Sequence, residues 1–327
     1  MTTGQADFTA AVDLGRLAPS VHNTQPWLFH AEDDVLILRR DSARSLPVLD
    51  PTFRQQTISC GAALHLVRLG LRLQGFDVVV QPHPVPGDST ILAAVRAVPG
   101  AAATAEEVVL EHAARHRHTQ REPFDPQPVD AETVTAMRDA AQQEGAWVRF
   151  LTEPAEQIAL TVLLSHADEA EEADEAYREE LSAWTHRPSS EGDGVPPQAA
   201  PPVRGRASNV RLRDFSAPAD DGQETPRVTE DDPAPPAEHP LVVVLGTAGD
   251  GPDDWLVAGQ ALSTLLLHAA VDGVQASPLG QVLDQPWSRR RLGGELRLVG
   301  YPQMVLRLGH ARPGPDTPRR PMTDVLR

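Results

Sequence analysis

Lysine is absent from this chain of 327 residues, so all 29 of its basic side chains are arginines. A P-loop needs its phosphate-reaching lysine and a pyridoxal enzyme needs a Schiff-base lysine, and neither is available. Cysteine is limited to Cys60, which excludes an intrachain disulfide, a CxxC redox pair and a cysteine-rich zinc site. Aromatic residues make up only 4% of the chain. No apolar run approaches the roughly 18–20 residues that cross a bilayer. The first residues, Met1 to Asp7, lack the basic and apolar regions of a secretory signal. The expectation is a soluble, cytoplasmic protein, long enough for about two domains with a sizeable core.

Acidic residues are plentiful, giving a formal net charge of −17. They are concentrated: residues 165–195 hold ten Asp/Glu against two Arg, and residues 214–238 hold eight against one. These windows read as a solvated helix face and a solvated loop. They would repel a phosphate backbone, so no nucleic-acid partner is expected, nor a membrane.

The apolar spacing predicts helices over 8–17, 52–74, 105–115, 131–143, 154–184 and 255–272. It predicts a hairpin from 27–30 and 35–38. Further strands are expected at 76–81, 91–98, 147–151, 241–245, 274–277 and 302–308. The segment 188–240 holds eleven of the 31 prolines and little periodicity, as a lid or a linker would. Helices and strands mix without regular βαβ alternation, which indicates an α+β fold. The outline repeats, with boundaries at 1–104 and 105–327, as an internal duplication would.

Three motif readings fail on their chemistry. The turn after Leu241–Leu245 runs Gly-x-x-Gly-x-Gly, and Asp250, Asp253 and Asp254 crowd the place where a dinucleotide pyrophosphate would sit. His112 and His116 have metal-pair spacing, but Arg115, Arg117 and Arg121 surround them. No Gly-x-Ser-x-Gly elbow occurs. Two other segments are more informative. Arg115 to Arg121 packs three guanidiniums and a hydroxyl into a helix end and turn, which suits a phosphate or is a solvated helix end. Ala18 to Trp27 is a proline-stiffened turn rich in donor–acceptor side chains, suited to the polar rim of a flavin or simply capping a strand.

Arg117-His-Thr-Gln-Arg-Glu-Pro-Phe-Asp125 resembles the arginine motif of flavin-dependent nitroreductases, and Ala18-Pro-Ser-Val-His-Asn-Thr-Gln-Pro-Trp27 resembles their proline-serine turn. An ordinary nitroreductase carries both in that order in one chain, with FMN in a dimer interface. Here the order is reversed, and Ala141 to Gly145 stands where a second turn would be. The chain is thus similar to the Acg family of actinobacterial FMN-binding proteins. Ser59–Leu64, Asp193–Pro196, Gly300–Arg307 and Thr317–Pro321 also fit that family. The resemblance implies a nitroreductase-like fold of two tandem units forming an intrachain pseudo-dimer, with mainly antiparallel central sheets flanked by helices.

The same resemblance implies the site and the reaction. Arg117, His118 and Thr119 would meet the FMN phosphate and ribityl chain with Arg319 and Arg320, and Arg121 would face the N1/C2-carbonyl edge. Pro19, Ser20, Asn23 and Gln25 would come from the other unit. Pro278, Leu279 and Gly280 belong to the segment whose backbone N–H points at flavin N5, Gly280 replacing the usual acidic residue. Hydride would pass from NAD(P)H through FMN to a small aromatic or quinone-like acceptor. The alternative is FMN storage beneath a lid with little turnover. The lid would carry Trp184 at its entrance and pack Arg211, Arg213 and Phe215 near the flavin, leaving Asp220–Glu238 solvated. The chain would act as a monomer, with further association open, and with no metal.

Overall fold

The computed structural model describes residues 5–185, 187–199, 238, 240–312 and 314–327. The first half runs α1 (Phe8–Gly15), β1 (Trp27–Glu32), β2 (Val35–Arg40), α2 (Arg54–Leu73), β3 (Phe76–Pro82) and β4 (Ile91–Pro99). Then follow α3 (Ala105–His116), α4 (Ala131–Gln143), β5 (Trp147–Leu151), α5 (Pro154–Ala173) and α6 (Glu175–Trp184). After the insertion come β6 (Leu241–Thr247), α7 (Pro252–Val271), β7 (Val274–Pro278), α8 (Gln281–Asp284), α9 (Pro286–Glu295), β8 (Tyr301–His310) and α10 (Met322–Val325). Two four-stranded sheets result, ordered β1-β2-β4-β3 and β5-β6-β8-β7, with every pair antiparallel. The second sheet therefore repeats the strand order of the first.

The two central helices meet along their small residues. Gly61 is the eighth residue of α2 and Gly259 the eighth of α7. A Cβ on Gly259 would lie 2.0 Å from the Ile58 carbonyl oxygen, and one on Gly61 would lie 2.4 Å from that of Leu256. Four residues on, in the twelfth position of each helix, His65 Nδ1 and Ser263 Oγ stand 3.0 Å apart. Equal positions pair with equal positions, so the helices run side by side in one direction. Burial lowers the His65 pKa to about 3, helped by Arg68 and His268.

Each sheet has its own apolar core, and the cores share residues from across the chain: Leu110 and Leu256 join the first, Ile58 the second. Phe8, Val12, Trp27, Phe29, Leu64 and Val95 join α1 and α2 to the first sheet. The second sheet is covered on both faces. Val243 and Leu245 face α7, while Val242 and Val244 face Leu160, Leu163 and Leu164 of α5 and Leu292 of α9. That double cover explains why β6 is an uninterrupted apolar run rather than an alternating one. Contrary to the sequence expectation, α7 has the length and apolar composition of a membrane-crossing helix. Its packing against α2, α4 and the second sheet accounts for that composition.

The expected single helix over 154–184 is two helices. Asp174 takes an extended conformation (φ −90°, ψ 109°) and its side chain accepts the Tyr177 N–H, capping α6. The short helices α8, α9 and α10 had no predicted counterpart. The last residues cross to the first half: Leu326 pairs with Phe29 beside β1, and the Arg327 N–H donates to the Phe29 carbonyl at 2.9 Å. This crossing carries Arg319 and Arg320 from the end of the chain to the turn that follows α1.

Candidate functional site

The turn between α1 and β1 is held in an unusual backbone shape. His22, Asn23 and Gln25 have φ of 45°, 54° and 49°, a region that non-glycine residues enter at a cost of about 1 kcal/mol or more each. Hydrogen bonds hold it there. Ser20 Oγ accepts the Gln25 N–H at 3.0 Å. Asn23 Nδ2 donates to the carbonyls of Gly194 (2.9 Å) and Pro318 (3.1 Å). Gln25 Nε2 donates to Gly192 O at 2.9 Å, while its Oε1 accepts the Arg320 N–H at 2.9 Å. The amides of Asn23 and Gln25 thus stitch the turn to residues 192–194 and 318–320. Pro19 and Ser20, both half-buried, lead into it.

Arg320 is a structural cation in this arrangement. Its guanidinium donates to the carbonyls of Gln25, Trp27 and Asp324 and lies 3.6 Å from Asp41. Arg319 differs. Its donors reach only neutral acceptors: Asn23 Oδ1, Thr317 Oγ1 at 2.7 Å, and the carbonyls of Thr317, Pro318 and Leu17. Burial lowers its pKa to about 9, reinforced by the neighbouring charges of Arg117 and Arg16. Arg117, at the end of α3, makes no hydrogen bond or ion pair among the described residues, and burial alone lowers it to about 10. His118 is lowered mainly by burial; its nearest carboxylate, the exposed Asp316, lies 3.7 Å away. Arg16 reaches Asp13 and, at 2.6 Å, the Arg320 carbonyl.

The site therefore gathers arginines from three segments with too few carboxylates to neutralise them. Desolvating like charges without counter-ions is costly. A phosphate placed among Arg117, Arg319 and the start of the turn would supply the missing negative charge and accept their N–H groups.

The rest of the arginine motif is fixed to the second sheet. Thr119 bridges to Ala276 of β7, and the Gln120 N–H donates to the Ala276 carbonyl at 2.8 Å. Arg121 Nη1 donates to the Ala199 carbonyl at 2.9 Å. A cavity of about 450 Å³ opens between this segment, Gln198–Ala199, Ala311–Arg312 and Gly314–Pro315, with Thr119, Arg121 and Glu122 among its lining. That is the size of a small-molecule site. Beyond β7, the Leu279 N–H donates to the Val305 carbonyl at 2.8 Å and its side chain is fully buried. Leu279 therefore extends the sheet. Next to it, Gly280 caps α8, accepting the Leu283 N–H at 2.7 Å, and Pro278 is exposed. The Gly280 N–H, like those of Gln281 and Val282 at the start of α8, has no partner among the described residues.

Trp184 packs with Val21 of the turn and with Leu46, Leu49 and Tyr177, beneath the guanidiniums of Arg44 and Arg187. Both arginines also bind Asp193, at 2.6 and 3.1 Å. The insertion is thus anchored at its start. The lid residues expected to pack near the flavin, Arg211, Arg213 and Phe215, lie outside the described residues, as do Asp220 to Pro236. Glu238 corrects the expectation of a solvated acidic run: it is fully buried and paired with Arg307. Sequence reasoning also missed Arg16, which has no signature beyond being basic beside the turn.

No family model matches the chain. A protein of Mycobacterium tuberculosis H37Rv, Rv3131, whose name places it among NAD(P)H nitroreductases, is 32% identical over 316 residues, covering 94% of this chain and 88% of the relative. The chain belongs to the nitroreductase superfamily, in its Acg-like branch. The protein named acg from the same organism is 28% identical over 328 residues, covering 97% of this chain and 94% of its own. Among solved structures, a nitroreductase with bound FMN from Desulfitobacterium hafniense is 14% identical, with a TM-score of 0.38 over 66% of this chain and 95% of that one. Arg319 donates to Asn23 Oδ1 of the proline-serine turn at 3.2 Å, and the charge of Arg117 in the arginine motif contributes to lowering its pKa.

Proposed function

We propose that this chain is an FMN-dependent oxidoreductase that takes hydride from NAD(P)H and passes electrons to a small aromatic or quinone-like acceptor. It would work as an intrachain pseudo-dimer of residues 1–104 and 105–327, with one flavin between the halves. The observation that carries this reading is the pair of half-buried arginines, Arg117 and Arg319, that have no carboxylate partner among the described residues. Membership of the nitroreductase superfamily and the NAD(P)H in its relatives' names support it.

The residues present fit FMN. Arg117 and Arg319 would hold the phosphate, with His118 and Thr119 beside the ribityl chain. Arg121 would bring positive charge to the N1/C2-carbonyl edge. The Gly280 N–H would face N5. Pro19 and Ser20 would close the site from the first half, their turn held in shape by Asn23, Gln25 and Arg320. Bound there, FMN supplies the hydride-accepting and electron-donating chemistry, while the protein binds, orients and shields it. The corresponding turn of the other half, after α4, supports a single flavin. It is short, has no arginine, and turns through Gly145 (φ 89°), with Glu144 bound to Arg68.

The test is anaerobic mixing of the FMN-loaded protein with NADPH and with NADH, followed at the flavin absorbance. Rapid bleaching with either is expected. A flavin that stays oxidised with both contradicts the enzyme reading and favours storage.

A further inference from the structure

Glu238 ends an acidic stretch that looks made for solvent, yet it is fully buried just before β6. Acidic side chains are almost never fully buried without partners, and here both oxygens are used. Oε1 lies 2.5 Å from Nη1 of Arg307, itself fully buried on β8. Oε2 accepts the Phe124 N–H at 2.6 Å. Arg307 Nη2 in turn donates to the Glu122 carbonyl at 2.9 Å, and its guanidinium lies 4.6 Å from the centre of the Phe124 ring. The ring can lie there because β8 has Gly309 beneath it; a Cβ at that position would come within 2.6 Å of Phe124 Cγ. The Asp125 N–H completes the attachment by donating to His310 O at 2.7 Å.

A buried ion pair adds little net stability over an apolar pair of similar volume. An apolar pair could not, however, hold the Glu122 carbonyl and the Phe124 N–H. These groups lie in the second part of the arginine motif, whose first part is attached through Gln120 on Ala276 and Arg121 on Ala199. We infer that Glu238 and Arg307 are positioning residues: their ion pair fixes Glu122–Phe124 on the second sheet and so aims Arg117 and Arg121 at a phosphate-bearing flavin. The inference rests on the FMN reading above, and neither residue is placed against the flavin itself. It also makes the end of the insertion part of the cofactor site's support.

The test uses two double variants of the full chain, since Glu238→Ala alone strands a buried arginine. Glu238→Ala with Arg307→Met removes both charges and both attachments. Glu238→Gln with Arg307→Gln removes the charges but keeps a neutral acceptor and donor. FMN affinity is measured by quenching of flavin fluorescence on cofactor-stripped protein, and amide hydrogen exchange is followed over residues 118–125. The Ala/Met variant should bind FMN about fivefold or more weakly and exchange faster over that segment while remaining folded. The Gln/Gln variant should recover most of the affinity. Unchanged FMN affinity in the Ala/Met variant overturns the inference. If wild-type protein takes up no FMN, the functional reading fails, and the exchange data then decide separately: unchanged protection of residues 118–125 overturns the positioning role.

Discussion

At the scale of the residue, the decisive feature is charge without a counter-charge. Arg117 has no partner among the described residues, and Arg319 has only neutral ones. Arg117→Ala should therefore weaken FMN binding about tenfold or more, since a lost charge-assisted hydrogen bond costs about 1.5–3 kcal/mol. Equilibrium dialysis checks this, and full flavin retention would misplace the phosphate. The same substitution relieves repulsion in the empty site, so apo-protein should melt no lower than wild type. A second residue-scale prediction concerns His65. Its pKa falls from 6.5 unfolded to about 3 folded, so the stability linked to its neutral form is complete above pH 6.5. That stability is lost as pH falls from 6.5 through 3, amounting to about 5 kcal/mol at about 1.4 kcal/mol per pKa unit. Asp50 acts in the opposite sense. Burial raises it from 3.8 to about 6, so its contribution is largest below pH 3.8 and is lost as pH rises through 6. His65→Gln should accordingly lose less melting temperature than wild type between pH 7 and 4.5. Parallel decline in the two proteins would mean that His65 is not held neutral.

At the scale of the element, the α2–α7 contact is the most demanding packing in the fold. In Gly259→Ala the new methyl would meet the Ile58 carbonyl at 2.0 Å and the Ala62 nitrogen at 2.8 Å, both backbone atoms that cannot rotate away. Alanine's better helix propensity returns about 1 kcal/mol. Overpacking costs typically 1–3 kcal/mol, and contact with rigid backbone belongs at or above the upper end. A net loss of about 2 kcal/mol is expected, read as a lower urea midpoint with an unchanged slope; an unchanged midpoint would show that the helices separate freely.

Most of the elements were legible because their apolar spacing is strong: α2 and α7 through their small and apolar residues, β6 through its continuous run. What escaped has a physical reason. Only Ser288 and Leu292 are buried in α9, which carries Arg289, Arg290 and Arg291 and a glycine pair, so it shows no apolar stripe. The break at Asp174 hid inside an acidic run in which a capping aspartate looks like its solvated neighbours. The same disguise covered Glu238, whose partner Arg307 is distant in sequence. The candidate site was readable where chemistry concentrates, at Arg117–Arg121 and Arg319–Arg320. The division of labour was not: Arg320, Asn23 and Gln25 hold the turn, whereas Arg117 and Arg319 remain available to an anion.

At the scale of the whole molecule, the proposed function turns on repetition and its loss. Two sheets of one strand order and two central helices in register make halves that could each build a flavin site. Among the described residues one junction gathers Arg16, Arg117, Arg319 and Arg320; at the other, Glu144 is paired with Arg68 near the α4 turn, and His83 lies 3.4 Å from Asp253 of α7. A phosphate would be repelled there. In the proposed site, the crossing of the last residues onto β1 would deliver Arg319. The most direct measurement is the flavin-to-polypeptide ratio of wild-type protein saturated with FMN and freed of excess by gel filtration, from flavin absorbance and amino-acid analysis. The account predicts one FMN per chain. Two per chain would show that the second junction is also a working site, and none would show that the arginine cluster serves a different anion.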